Sequence, residues 1–221
     1  MRIAGFVRNS LIDYPHHIAC VVFTPGCNMG CQYCHNKHLN VQNINIAEQE
    51  VFDYLTQNRG FLEGIVISGG EPTLQKDLGE FIKKVKALGF KVKLDTNGTN
   101  IKAVKKLMDQ NLLDFVAMDI KAPFEKYKEV TYTDDDMQSI VALKDFLLNG
   151  SVDYEFRTTF INTLTIEDII TIAKSISGAK TFAIQKYRPN LAGETTHDDS
   201  EQNEAARAAG QFVGTVINRG L

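Results

Sequence analysis

The chain has 221 residues, a formal net charge of −3 and four cysteines. Its length allows a single domain with a substantial core, since α/β barrels of roughly 200–250 residues commonly fold as one. Its interspersed charges exclude the positive field that non-specific nucleic-acid binding requires.

No apolar run approaches the roughly 20 residues of a membrane span, and Met1 to Asn9 has no signal-peptide pattern. A cytoplasmic protein with neither a membrane nor a nucleic acid as partner is therefore expected. Arg2 to Tyr14 alternates weakly and ends at Pro15, which predicts a short strand or hairpin ahead of the main fold. His16 and His17 follow, read as neighbouring strand residues that point to opposite faces and so do not form a metal site.

From Ile18 onward, short β-rich runs alternate with stretches of helical periodicity, the pattern of βα units around a parallel sheet. The predicted strands are Ile18 to Thr24, Gly64 to Ser68, Lys91 to Asp95, Phe115 to Ile120, Tyr154 to Ile161 and Thr181 to Tyr187. Helices are predicted over Ala47 to Gln57, Asp77 to Leu88, Ile101 to Gln110, Asp135 to Leu148 and Ile166 to Ser177, with another near Glu201 to Gly210. The run Asp134-Asp135-Asp136 reads as a helix N-terminal turn, where negative charge suits the dipole. Six units are fewer than the eight of a closed barrel, so the expected fold is α/β, a partial, open (βα)6 barrel of the TIM type. It is expected as one domain over 1–221, with an N-terminal extension at 1–16, a core at 17–190 and a C-terminal extension at 191–221.

Three of the cysteines fall within eight residues, in Cys27-Asn28-Met29-Gly30-Cys31-Gln32-Tyr33-Cys34. Disulfides are rare in the cytosol, so clustered thiols there are metal-binding or catalytic. A compact set of three leaves a coordination position open on an iron–sulfur cluster. Zinc completed by His35, or three reduced thiols without metal, are the alternatives. Cys20 stands apart in an apolar run and reads as strand packing.

The remaining polar signatures fall at the carboxyl ends of the predicted strands, where parallel α/β folds build their sites. Gly69-Gly70-Glu71-Pro72 follows the second strand and permits a ligand to approach the backbone, whose carbonyls can accept from an ammonium group. Asp95-Thr96-Asn97-Gly98 follows the third, either as an Asx turn or as a ligand-facing loop. Asp119 and Lys121 close the fourth and share a face. Carboxylates gathered at one site need a cation, a lysine or an arginine to offset their repulsion, and Lys121 can supply that charge. Arg157 lies in the fifth, as a fork donor to a bound carboxylate or as the partner of a barrel carboxylate. Gln185, Tyr187 and Arg188 end the sixth. His38 and His197 read as surface residues, and the lysines around Lys83 and Lys102 as solvated helix faces.

CNMGCQYC resembles the CxxxCxxC signature of the radical S-adenosylmethionine (radical SAM) enzymes. With Phe23-Thr24-Pro25-Gly26 before it and His35-Asn36 after it, the stretch is similar to the glycyl-radical-enzyme activases, in particular the activators of anaerobic ribonucleoside-triphosphate reductase. Ser10-Leu11-Ile12-Asp13-Tyr14-Pro15, Gln185 to Pro189 and Val216 to Leu221 extend the likeness. The resemblance implies a radical SAM barrel in which Cys27, Cys31 and Cys34 bind a [4Fe–4S] cluster and S-adenosylmethionine chelates the fourth iron. It further implies that Gly69, Gly70 and Glu71 serve the methionine amino group and that Tyr33 lies beside the adenine. Asp95, Thr96, Asn97, Asp119, Lys121 and Arg157 are expected near the cofactor, Asp95 and Asp119 with a monovalent cation. The implied reaction is reductive cleavage to a 5′-deoxyadenosyl radical that takes a hydrogen atom from a glycine Cα of the reductase, fed by a low-potential donor such as flavodoxin. Activation of a pyruvate formate-lyase-type enzyme, small-molecule radical chemistry, and a non-catalytic zinc module are the competing readings.

Overall fold

The computed structural model describes residues 1–41, 44–133, 137–189 and 195–220. The chain forms two compact units, one of Met1–Asn28, Asn36–Thr96 and Asn100–Val116, the other of Met29–His35, Asn97–Thr99 and the residues from Ala117 onward.

In the first unit β1 (Gly5–Ser10) pairs antiparallel with β2 (Ala19–Thr24), so the weakly alternating N-terminal segment does form a strand. Parallel pairing then runs from β2 to β3 (Gly64–Gly69) and from β3 to β4 (Lys91–Thr96). β2 and β3 are almost continuously buried, as strands covered on both faces must be. Tyr14, Ala19, Val21 and Val66 make one core cluster, with Phe23 and Phe115 packed against it. The helices are α1 (Lys37–Val41), α2 (Glu48–Gln57), α3 (Leu78–Ala87) and α4 (Ile101–Asp109), and β5 (Phe115–Asp119) begins here. α4 starts where Asn100 caps it by accepting from the Ala103 amide, and it buries Val104 and Leu107 while its lysines face outward. His16 and His17 lie in a turn rather than a strand, because His16 takes a left-handed φ of 63°. His17 Nε2 is 3.0 Å from Lys91 Nζ, so the pair serves local packing.

The second unit contains α5 (Tyr127–Thr131), α6 (Met137–Leu148), β6 (Asp153–Phe160), α7 (Ile166–Ser175), β7 (Thr181–Lys186), α8 (Asp199–Ala209) and β8 (Thr215–Arg219). β6, β7 and β8 are parallel neighbours. α7 and α8 each start with a capping box, Thr165 with Asp168 and Asp198 with Glu201. Phe156, Phe160, Phe182 and Ile184 are fully or nearly fully buried. The acidic run Asp134-Asp135-Asp136 lies outside the described residues. α1, α5 and β8 were not expected. The two helices have five residues each, too short for a periodic signal, and β8 is mostly half-exposed. β8 is fixed by Arg219, whose Nη1 and Nη2 donate to the two carboxylate oxygens of buried Glu155 at 2.9 and 2.6 Å.

Candidate active site

The end of β3 in the first unit is built by close backbone approach. Gly69 has φ +118°, and a Cβ there would stand 2.3 Å from the Thr24 amide nitrogen. A Cβ on Gly70 would stand 1.9 Å from the Gly26 carbonyl oxygen. No side chain fits at either position. The Gly70 amide donates to the Thr24 carbonyl and the Glu71 amide to the Gly26 carbonyl, both at 2.8 Å. These bonds fix the loop that leads directly into half-buried Cys27. Asn36 Nδ2 donates to the Gly69 carbonyl at 2.9 Å, leaving that oxygen's second lone pair for another donor.

Glu71 is fully buried, and its Oε1 accepts from the Thr73 amide (3.1 Å), the Thr73 hydroxyl (2.5 Å) and the Thr96 hydroxyl (2.9 Å). Its carboxylate thus joins the ends of β3 and β4 and holds Thr96 in place. Asp95 is also buried, and Lys93 Nζ is 2.5 Å from its Oδ1. Lys93 is a partner that sequence reasoning did not anticipate, although the i, i+2 spacing on one strand carried the signal.

The second unit carries Cys31, Tyr33 and Cys34, with the Gly30 amide donating to the Thr131 carbonyl at 2.8 Å and the Cys34 amide to the Cys31 carbonyl at 3.2 Å. Asn97 forms the Asx turn, its Oδ1 accepting from the Thr99 amide and hydroxyl. At the end of β5, Asp119 Oδ2 accepts from Lys121 Nζ at 2.7 Å and Oδ1 from Arg157 Nε at 2.8 Å. Arg157 therefore pairs with a strand carboxylate. Burial alone would raise the Asp119 carboxyl, but Arg157 and Lys121 hold it well below the usual carboxylate range. Burial likewise opposes the Lys121 charge, and Asp119 foremost keeps that ammonium protonated well above its ordinary range. Burial pushes the Cys31 thiol and the Tyr33 phenol up, with Lys121 opposing both.

Tyr33 also lines a pocket with Gln32, Glu129, Val130, Tyr132, Ile161, Asn162, Thr163 and Tyr187. Asn162, Thr163 and Ile161 were not singled out in the sequence, because no motif marks the end of β6. His35 Nε2 is 2.8 Å from the Arg188 carbonyl, engaged with the backbone. His38 is exposed as expected. His197 is not: its ring stacks on Phe160 at 3.7 Å and its Nε2 faces the Ile161 and Leu164 carbonyls. Cys20 is fully buried in β2, and burial pushes its thiol up to about 12. The four cysteines form no disulfide.

Taken unit by unit, the chemistry of these residues fits what an iron–sulfur cluster and an amino-acid-bearing cofactor require. Three sulfur donors lie in one eight-residue stretch. In the first unit a glycine pair excludes any side chain, and in the second one carboxylate with two cations leaves a local charge of +1 that suits an anionic group. Parallel βα units with such strand ends define a class of cofactor-dependent α/β enzymes. A comparison with known families narrows the class: residues 21–176 match the model of the Radical SAM superfamily, and the chain belongs to that superfamily.

A protein of Methanocaldococcus jannaschii provisionally named as a glycyl-radical enzyme activating enzyme is 36% identical over 233 residues, covering 98% of this chain and 95% of that one. Streptococcus suis SuiB, solved bound to S-adenosylmethionine, superposes with a TM-score of 0.69 at 15% identity over 88% of this chain and 48% of that one. A domain of the pyruvate-formate lyase-activating enzyme of Bacteroides vulgatus gives 0.58 at 16% identity over 71% and 99%. At such identities the structures share the fold, α/β with a parallel sheet, as expected from the sequence. No helix among the described residues is long and apolar enough to cross a membrane.

Proposed function

We propose that this chain is a cytoplasmic activating enzyme that installs a glycyl radical on anaerobic ribonucleoside-triphosphate reductase. The observation that carries the activase reading is the likeness over nearly the whole chain to the M. jannaschii protein. The reductase as partner, with flavodoxin or a similar low-potential donor, rests on the finer resemblance of Phe23 to Asn36, Gln185 to Pro189 and the C-terminal stretch.

In this reading Cys27, Cys31 and Cys34 hold a [4Fe–4S] cluster whose remaining iron takes S-adenosylmethionine. When bound, the pair would supply reductive cleavage of the sulfonium, with the electron coming from the low-potential donor, and hydrogen-atom abstraction from the partner's glycine. The chain itself binds and orients. The Gly69 carbonyl accepts from the ligand ammonium, and Gly70 leaves room for it. Glu71 and Thr96 brace that strand end, and Asp95 and Asn97 complete the adjoining loop. Lys121 and Arg157, held by Asp119, offer positive charge to the ligand carboxylate. The adenine enters the Tyr33 pocket, whose Val130 and Ile161 present apolar surface and whose Asn162 and Gln32 carboxamides can pair with its donor–acceptor edge.

Anaerobic reconstitution with iron and sulfide, followed by reduction and addition of S-adenosylmethionine and the reductase, tests this reading. A glycyl doublet in the electron paramagnetic resonance spectrum of the reductase is the expected result. 5′-Deoxyadenosine without that doublet, or a doublet on a pyruvate formate-lyase-type enzyme instead, would reassign the partner. Neither product from a cluster-loaded sample would remove the radical assignment.

A further inference from the structure

Lys93 has no role in the cofactor assignment, yet its side chain is only 1% exposed and its Nζ lies 2.5 Å from Asp95 Oδ1. It stands two residues before Asp95 on β4, on the same face, and its ammonium sits 5.9 Å from the Phe115 ring centroid. A lysine stem of four methylenes accepts such burial, but its charge does so only when compensated. Asp95 provides the compensation, and the ammonium in turn neutralises Asp95. In the second unit Asp119 is matched by two cations, Lys121 and Arg157. Neither carboxylate retains the excess negative charge that would draw potassium or sodium from water. The residues therefore do not fit the monovalent cation that the family resemblance implies.

We propose that Lys93 is a built-in counter-cation, a positioning residue that fixes Asp95 and makes S-adenosylmethionine binding independent of monovalent cations. The inference rests on the assignment of Asp95 to the cofactor site. A lysine ammonium has the charge of potassium but is tethered, so no entropy of ion capture is lost when the cofactor binds. Removing it while keeping the stem, as in Lys93→Met, takes one positive charge from beside the buried Asp95 carboxylate, and an ion from solution then makes up that charge.

The test begins on apo-protein, which needs neither cluster nor activity. Thermal midpoints are compared in potassium, sodium and choline chlorides at one ionic strength of about 0.1 M. The wild type is expected to give one midpoint in all three salts. K93M is expected to be stabilised by potassium or sodium over choline, and K93M/D95N to lose that preference. Anaerobic binding of S-adenosylmethionine to cluster-loaded protein should follow the same pattern, with K93M weaker by about tenfold in choline than in the better alkali salt. A cation-specific rise in the wild type, or a K93M profile identical to wild type, would overturn the proposal. If K93M folds in none of the salts, thallium-205 resonance on the wild type decides: a saturable bound ion overturns the proposal and its absence upholds it. Should the apo-protein respond as expected while S-adenosylmethionine fails to bind the loaded wild type, the cofactor reading fails and the Lys93–Asp95 assignment stands.

Discussion

Gly70 carries the closest constraint of any single residue at the candidate site. An alanine there places its Cβ 1.9 Å from the Gly26 carbonyl, so the loop ahead of Cys27 must move. Gly70→Ala is expected to keep the far-ultraviolet circular dichroism of the wild type but lose most of its iron after anaerobic reconstitution, and full iron content would contradict the backbone constraint. Asp119 gives a pH dependence. Its folded carboxyl is depressed below the unfolded value of about 3.9, so its contribution to stability is fully present above that value and is lost as pH falls toward the folded one. Urea midpoints measured from pH 5 down to pH 3 should therefore fall more steeply for the wild type than for Asp119→Asn, and parallel slopes would deny the group this role. The sequence put Asp119 and Lys121 on one face at a strand end and Arg157 within the next strand, with a barrel carboxylate as one of its two readings, but it did not say which carboxylate Arg157 meets. The Lys121 contact follows from i, i+2 spacing, whereas the Arg157 contact depends on the separation of β5 and β6 side chains, which no local spacing encodes.

Elements were legible where their physical signal is local. The expected limits of β2, β3, β4, β6 and β7 agree with the structure to within one residue at each end, because strands buried on both faces are apolar runs bounded by turn residues. β8 was missed because its stability comes from a distant partner. Arg219 lies in a half-exposed strand, and its worth appears only when Glu155, 64 residues earlier, is found buried beneath it. Removing one member of such a pair strands the other charge, at about 3 kcal/mol when one side remains partly open to solvent. Arg219→Ala should lower the unfolding free energy by that amount in urea titrations, and a change under about 0.5 kcal/mol, the level of an ordinary surface substitution, would show the pair to be unimportant. At the start of α7, Thr165 accepts from the Asp168 amide while Asp168 Oδ2 accepts from the Thr165 amide and from Lys126 Nζ. Thr165→Ala removes one half of this cap and is expected to cost about 1 kcal/mol, readable in the same titration.

At the scale of the whole molecule, motif and fold carry different parts of the argument. The spacing of Cys27, Cys31 and Cys34 is the basis for the proposed metal centre, while the glycine cradle and the brace at Glu71 in one unit and the cation pair on Asp119 in the other are the basis for the proposed cofactor contacts. A zinc module would share the thiols but has no use for the rest, and binding linkage separates the two. A ligand that binds only the native state stabilises it by about 2.7 kcal/mol at a hundredfold excess over its dissociation constant. For a chain of this length, each kcal/mol moves the midpoint by roughly 2–4 °C. S-Adenosylmethionine should therefore raise the anaerobic thermal midpoint of the cluster-loaded protein by roughly 5–10 °C, and an iron chelator should abolish the rise, because in the proposed reading the cofactor binds only with the cluster in place. Zinc-loaded protein should show no such rise. Equal stabilisation with zinc, or none with the cluster, would mean that the strand-end groups and the thiols do not act on one ligand.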